Sequence, residues 1–142
     1  MEKSTSEYLV QEVECAEPVR LIEMLYQRAL RDLECAREMW PDKARRGEAM
    51  RFAVHAQMII GELFGALNVK EGGDIAANLM RLYEFMQYHL VQAVNSPDPE
   101  AIRKLSEIIG LLQPISDAWS TITRDQLRSQ TNSLAEGGSL VA

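Results

Sequence analysis

Cysteine is scarce in this chain of 142 residues: only Cys15 and Cys35 are present, with no Cys-x-x-Cys spacing. No secretory signal precedes them, so reduced thiols in the cytoplasm are expected rather than a disulfide framework. Long apolar runs are also missing, and none reaches the roughly 18 residues a helix needs to cross a bilayer. Positive charge is in short supply. The formal net charge is −6, and the one basic cluster, Lys43-Ala44-Arg45-Arg46, is too brief to create the positive field that nucleic acids and anionic membranes require. Strand-like alternation is absent as well, which leaves helix without a competitor.

Catalytic and metal-binding patterns are lacking too. Carboxylate-bridged metal sites in helical bundles need inward glutamates and a Glu-x-x-His pair, because that spacing puts two ligands on one face. Here Phe52 stands three residues before His55, and Met86 three before His89. Both histidines are therefore expected at the surface or an edge, without a metal. A Cys–His nucleophile would need Cys15 or Cys35 to meet one of them. Cys35 shares its helix face with Arg28, Arg31 and Asp32, which suits a partly exposed spectator thiol. Gly72-Gly73 has no strand before it and no Lys-Ser/Thr after it, so it reads as a turn and not a phosphate loop. No cofactor is implied, and the chain is not expected to be an enzyme.

What is present is helical punctuation. A chain of this length suits one domain that removes roughly two-thirds of its unfolded surface from water. Residues 1 to 16 form an arm whose apolar group, Tyr8, Leu9, Val10 and Val13, is too short to hold a helix alone. Pro18 then suits a first helical position, and Ile22, Leu25, Tyr26, Ala29, Leu33, Ala36 and Trp40 share one face, so a first helix is expected up to Trp40, before Pro41. Asp42 is a candidate cap for a second helix that buries Ala49, Phe52, Ala56, Ile59, Ile60, Leu63 and Leu67; Gly47 weakens its first turns. A third, from about Asp74 to Asn95, carries Ile75, Leu79, Leu82, Met86, Leu90 and Ala93. A fourth starts at Asp98-Pro99 and continues through Ile102, Leu105, Ile108, Ile109, Leu112, Ile115, Trp119 and Ile122 to about Arg128. Pro114 should bend or break it near Gly110 to Gln113. From Ser129 the composition suits a flexible, disordered tail. The expected fold is all-α: an antiparallel up-down four-helix bundle over residues 17 to 128, between the arm and the tail.

Some apolar surface is left over. On the second helix Val54, Met58, Gly61 and Gly65 form another stripe beside Ala53, Ile60 and Phe64. Two readings stand. The glycines at i and i+4 admit a close bundle neighbour, or they floor a groove for a helix from another protein. Seven methionines against three phenylalanines add to this surplus, since Met39 and Met80 fall off the core stripes and methionine adapts to irregular partners.

The run Gly72-Gly73-Asp74-Ile75-Ala76-Ala77-Asn78-Leu79, with Leu82-Tyr83-Glu84-Phe85-Met86, Leu90 and Asp98-Pro99-Glu100-Ala101, resembles the flagellar secretion chaperone family FliS. Ala16-Glu17-Pro18 with Leu21 and Met24-Leu25-Tyr26, Ile59-Ile60-Gly61-Glu62-Leu63, and Leu111-Leu112 with Ala118-Trp119 are similar to it too, so the likeness covers about residues 8 to 122. That resemblance implies a cytoplasmic export chaperone. Such a protein binds the disordered C-terminal segment of flagellin, prevents premature polymerisation and keeps it competent for the flagellar type III export apparatus. It further implies that Tyr8 lies in an arm that covers apolar bundle surface. The implied flagellin-binding residues are Tyr8, Val54, Met58, Gly61, Phe64, Gly65, Asn68, Asn78, Leu79, Leu82, Tyr83 and Met86, on a monomer or weak homodimer. An alternative is a bundle-shaped scaffold that uses the same surface for self-association.

Overall fold

A computed structural model describes residues 18–141, and their side chains over 19–132 except for Val69 and Gln130. The arm, Tyr8 included, lies outside the described residues. Four helices follow in order: α1 (Pro18–Met39), α2 (Arg46–Gly65), α3 (Val69–Val94) and α4 (Asp98–Val141). A 3-10 turn at Lys43–Arg45 joins α1 to α2. The helices form a ring in which α1 packs on α2 and α4, and α3 closes the circle against the same two neighbours. The seam between α2 and α3 is the leanest of the four.

Local chemistry accounts for the joints. Asp42 accepts a bond from the Ala44 N–H at 3.0 Å, so it caps the 3-10 turn and not the second helix as expected. With Asp42 spent on that tighter turn, α2 begins only at Arg46. Arg46 then ties the corner together: its Nε and Nη2 donate to the Trp40 carbonyl at 3.0 and 2.8 Å, and Nη2 meets Asp98 at 2.8 Å. Its guanidinium also sits 4.8 Å over the Trp40 ring. Gly73 interrupts α3 with φ 56° and ψ −134°, a conformation open to glycine and strained for other residues. A short turn capped by Asn68 therefore precedes the long run from Asp74, where the sequence placed the start.

One core joins all four helices. It takes Leu25, Tyr26, Ala29, Leu33, Ala36 and Trp40 from α1, and Ala49, Ala53, Ala56, Ile59, Ile60 and Leu63 from α2. Tyr83, Met86, Leu90 and Ala93 come from α3, and Ala101, Leu105, Ile108, Ile109 and Leu112 from α4. Two expected core positions are exposed. Ile75 is 74% exposed although it shares a helical face with Met86 three turns on, because it stands two residues after the Gly73 break, ahead of the buried row that starts at Ala76. Ile122 is exposed because the buried row on α4 passes through Ser116 and Thr123 instead. Ala53 belongs to the core rather than to the second stripe, while Phe52 and Leu67 are only partly buried against it.

The break expected at Pro114 does not occur, and α4 passes through it as one element. The proline deprives the carbonyl four residues back, that of Gly110, of its donor. Gly110 and Pro114 are both exposed, so water can serve that carbonyl. Packing on α4 ends at Thr123. The helical backbone continues past Arg128, where the apolar pattern stops, to Val141, and every described side chain from Arg124 to Asn132 is exposed.

Across the centre of the ring the hydroxyls of Tyr26 and Tyr83 hydrogen-bond to each other. Burial pushes both phenols above their ordinary 10.0, so they stay neutral and keep the bond at any ordinary pH. Tyr26→Phe would leave the Tyr83 hydroxyl buried without its partner and is expected to lower stability in a urea melt by about 1–3 kcal/mol. Removing both hydroxyls should be less damaging than the sum of the single changes. Additive losses would show that the two groups do not depend on each other.

Candidate docking groove

Opposite its buried row, α2 presents Arg51, Val54, Met58, Gly61 and Gly65 to solvent, spaced as one helical stripe. Val54 is 47% exposed, Met58 41% and the adjoining Phe64 38%. A Cβ built on Gly61 would meet only Gln87 Nε2, at 3.7 Å, and one on Gly65 would meet nothing within 4 Å. No bundle neighbour therefore requires glycine at either position. Gly61, inside the helix, nonetheless costs it about 0.5–1 kcal/mol relative to alanine, while Gly65 is its last residue.

The side of α3 that faces α2 is marked by Gln87, whose Nε2 donates to the Gln57 carbonyl at 2.9 Å. Its Oε1 is buried without a partner. Exposed apolar side chains surround this bond: Val54 and Met58 on α2, Tyr88 and Val91 on α3. Phe85 lies farther round α3, also exposed, stacked on His89 at 5.0 Å. His89 in turn bonds Glu107 of α4 at 2.6 Å, which holds the aromatic pair in place.

The expected site residues do not all meet. Val54, Met58, Gly61, Phe64 and Gly65 share the exposed side of α2, and Asn68 follows at the cap of α3. Asn78 is exposed and Leu79 and Leu82 are half-buried. Asn78 and Leu82 lie in line with Phe85 and His89, toward α4 and away from the α2 stripe. Tyr83 and Met86 are buried at 2% and 0% exposure, as core residues of α3 and not surface contacts. Tyr88 and Val91 were missed. The available signal was their apolar character out of step with the buried row.

A second feature lies between α1 and α2, a cavity of about 330 Å³ lined by Arg28, Asp32, Glu48, Arg51, Phe52 and His55. Within it Asp32, its side chain 3% exposed, is bonded to His55 Nδ1, with Arg28 Nε at 3.8 Å. His55 and His89 thus sit at helix seams, each paired with a carboxylate. No serine, threonine, cysteine or lysine lines the cavity. Among the described residues no cluster of His, Cys, Asp or Glu could hold a metal ion, and no helix is long and apolar enough to cross a membrane. The geometry is that of a docking surface over a fixed core.

Comparison with known proteins identifies the chain's relatives. The profile of the family described as "Flagellar protein FliS" matches residues 1–126. The "Flagellar secretion chaperone FliS" of Salmonella typhimurium is 38% identical over 110 residues, covering 76% of this chain and 78% of that protein. The "Flagellar secretion chaperone FliSB" of Pseudomonas aeruginosa is 38% identical over 117 residues, covering 79% and 86%. A FliS from Vibrio cholerae is 39% identical over 64 residues, 45% of each chain.

The Asp32–His55 pair sets a pH signature. Burial raises the Asp32 carboxyl above its ordinary 3.8, against the opposing pull of His55, Arg28 and Arg31. The folded chain then holds that proton more tightly than the unfolded one, so the stability contributed is full at low pH and is lost as pH rises through the raised value. Asp32→Asn keeps an acceptor for His55 and should flatten this slope, which begins at the ordinary carboxylate value and extends above it. His55→Ala strands a buried carboxylate and should cost about 3 kcal/mol near neutral pH. Urea melts across pH check both, and an unchanged slope in the Asp32→Asn protein would remove Asp32 as its source.

Proposed function

This chain belongs to the FliS family, and from that premise we propose that it is a cytoplasmic, non-enzymatic flagellar export chaperone whose cargo is the disordered C-terminal segment of flagellin. The cargo folds partly into helix on the bundle, stays unpolymerised and is delivered to the flagellar type III export apparatus. The observation that carries this reading is the exposed stripe on α2. Gly61 weakens the helix and no neighbour within the bundle needs it or Gly65, whereas a guest backbone lying on α2 would. Val54, Met58 and Phe64 supply apolar contact beside them, and Tyr88 and Val91 extend it across the seam. Asn68 stands beyond the Gly65 end, while Asn78, Leu79 and Leu82 serve a cargo that continues round α3 toward α4. In the free chaperone the arm docks through Tyr8 over the same surface and yields it to cargo.

Glycine substitutions separate folding from binding. Alanine at Gly61 should raise stability by about 0.5–1 kcal/mol, and alanine at the terminal Gly65 by less, since neither site is crowded. Leucine at either should fill the groove and weaken binding of a flagellin C-terminal segment at least tenfold, about 1.4 kcal/mol, with little loss of stability. A melt and a calorimetric titration on each variant decide the matter. Retained affinity in the leucine variants would remove the groove from the binding site.

Cargo ordering has its own signature. Helicity should rise on mixing, and the heat capacity of binding should be negative because apolar surface is buried. Deletion of residues 1–13 should leave the bundle folded, promote self-association and change affinity by no more than about tenfold, because burying one tyrosine gains only about 1.5–3 kcal/mol against the entropy of ordering the arm. Concentration-dependent assembly of the full chain without flagellin binding would favour the self-associating scaffold.

A further inference from the structure

Three exposed charges border the α2 groove and make no ion pair among the described residues: Arg51, Glu62 and Glu84. They are not mixed. Arg51 stands one turn beyond Val54 at one end of the stripe. Glu62 adjoins Gly61 and Gly65 at the other. Glu84 belongs with Glu62, because residues 66–68 join Gly65 directly to the start of α3, so positions before Gln87 lie toward the Gly65 end. The surrounding charges keep this polarity. At the Arg51 end the exposed Lys43 and Arg45 are offset by Asp42 and by Glu48, which Arg45 engages at 3.9 Å, and this leaves Arg51 in excess. At the Gly65 end Lys70 and Arg81 are offset by Glu71 and Asp74, which leaves Glu62 and Glu84 in excess.

A helix carries about half a positive charge at its N-terminus and half a negative charge at its C-terminus. Resting on the reading of the groove as the cargo site, we infer that the cargo helix lies in it with a set direction, running against α2, its N-terminus beside Glu62 and Glu84 and its C-terminus beside Arg51. The stripe from Val54 to Gly65 is about three turns long, so both ends of such a helix fall within reach of these charges. Apolar contact supplies the affinity and would tolerate either direction. The bordering charges choose between them, and a chaperone that presents one direction delivers every cargo molecule with the same end leading.

The test uses the full chain and a flagellin C-terminal segment carrying a nitroxide at one end or the other of its helix-forming stretch. A label at the N-terminal end should broaden the amide signals of Gly61 to Gly65, and a label at the C-terminal end those of Arg51 to Val54. Combining Arg51→Gln, Glu62→Lys and Glu84→Lys, which places no new carboxylate beside Asp32 and Glu48, should weaken binding about tenfold or invert the broadening pattern, and salt near 1 M should erase the difference from wild type. Tight binding with the opposite pattern, or with both patterns equally, overturns the set direction and leaves the cargo site standing. Affinity and pattern both unchanged in the triple variant overturn the charges as its cause. No binding by the wild-type chain, and no broadening along α2, overturns the site and the direction together.

Discussion

The buried row on α1, from Leu25 through Tyr26, Ala29 and Leu33 to Trp40, is the constraint on which the other helices depend. It is the surface against which both α2 and α4 settle, and its last residue is gripped by Arg46, which also reaches Asp98 at the start of α4. α3 enjoys no comparable seat. It leans on α2 and α4 and touches α1 only through the centre, where Tyr83 meets Tyr26. A bundle built this way has one firm side and one lean seam, and the exposed apolar side chains gather at the lean one.

That asymmetry leaves an apolar stripe open on a stable fold, as the proposed docking requires. An apolar stripe on a fully packed helix would be covered, and one on a loosely held helix would give a guest no fixed shape to bind. Here α2 is held on its far side by the core and by the Asp32–His55 pair, so Val54, Met58, Gly61 and Gly65 face outward from a rigid support. The polar groups of the interior serve the same end. Tyr26 with Tyr83, and Asp32 with His55, satisfy each other across helix pairs, and a slip of register at either place would leave a buried hydroxyl or carboxylate without a partner.

The proposed cargo poses a physical problem that this arrangement suits. A disordered segment must be held tightly enough to prevent assembly and loosely enough to be released, and it loses conformational freedom when it is held. A shallow groove whose floor is backbone at Gly61 and Gly65 gains contact area by close approach, without deep pockets that would slow departure. The family relationship names the kind of work, and the groove suggests how it is done.

The starts of α1 and α4, the Gly-Gly joint and most of the core could be read from the chain alone, because a 3.6-residue period and the punctuation by Pro18, Pro41, Gly73 and Asp98 act locally. The same is true of the surplus stripe on α2 and of the family likeness carried by the run from Gly72 to Met86. What the chain could not decide was which of several apolar residues on α3 would face inward. Ile75 and Tyr83 both fit an amphipathic helix, and only packing against Tyr26 settled that Tyr83 is core and Ile75 is not. Tyr88 and Val91 likewise became part of the groove only when Gln87 met Gln57 and set the rotation of α3 against α2. Periodicity specifies a stripe up to a rotation of the helix, and the rotation itself is chosen by side chains that are distant in sequence.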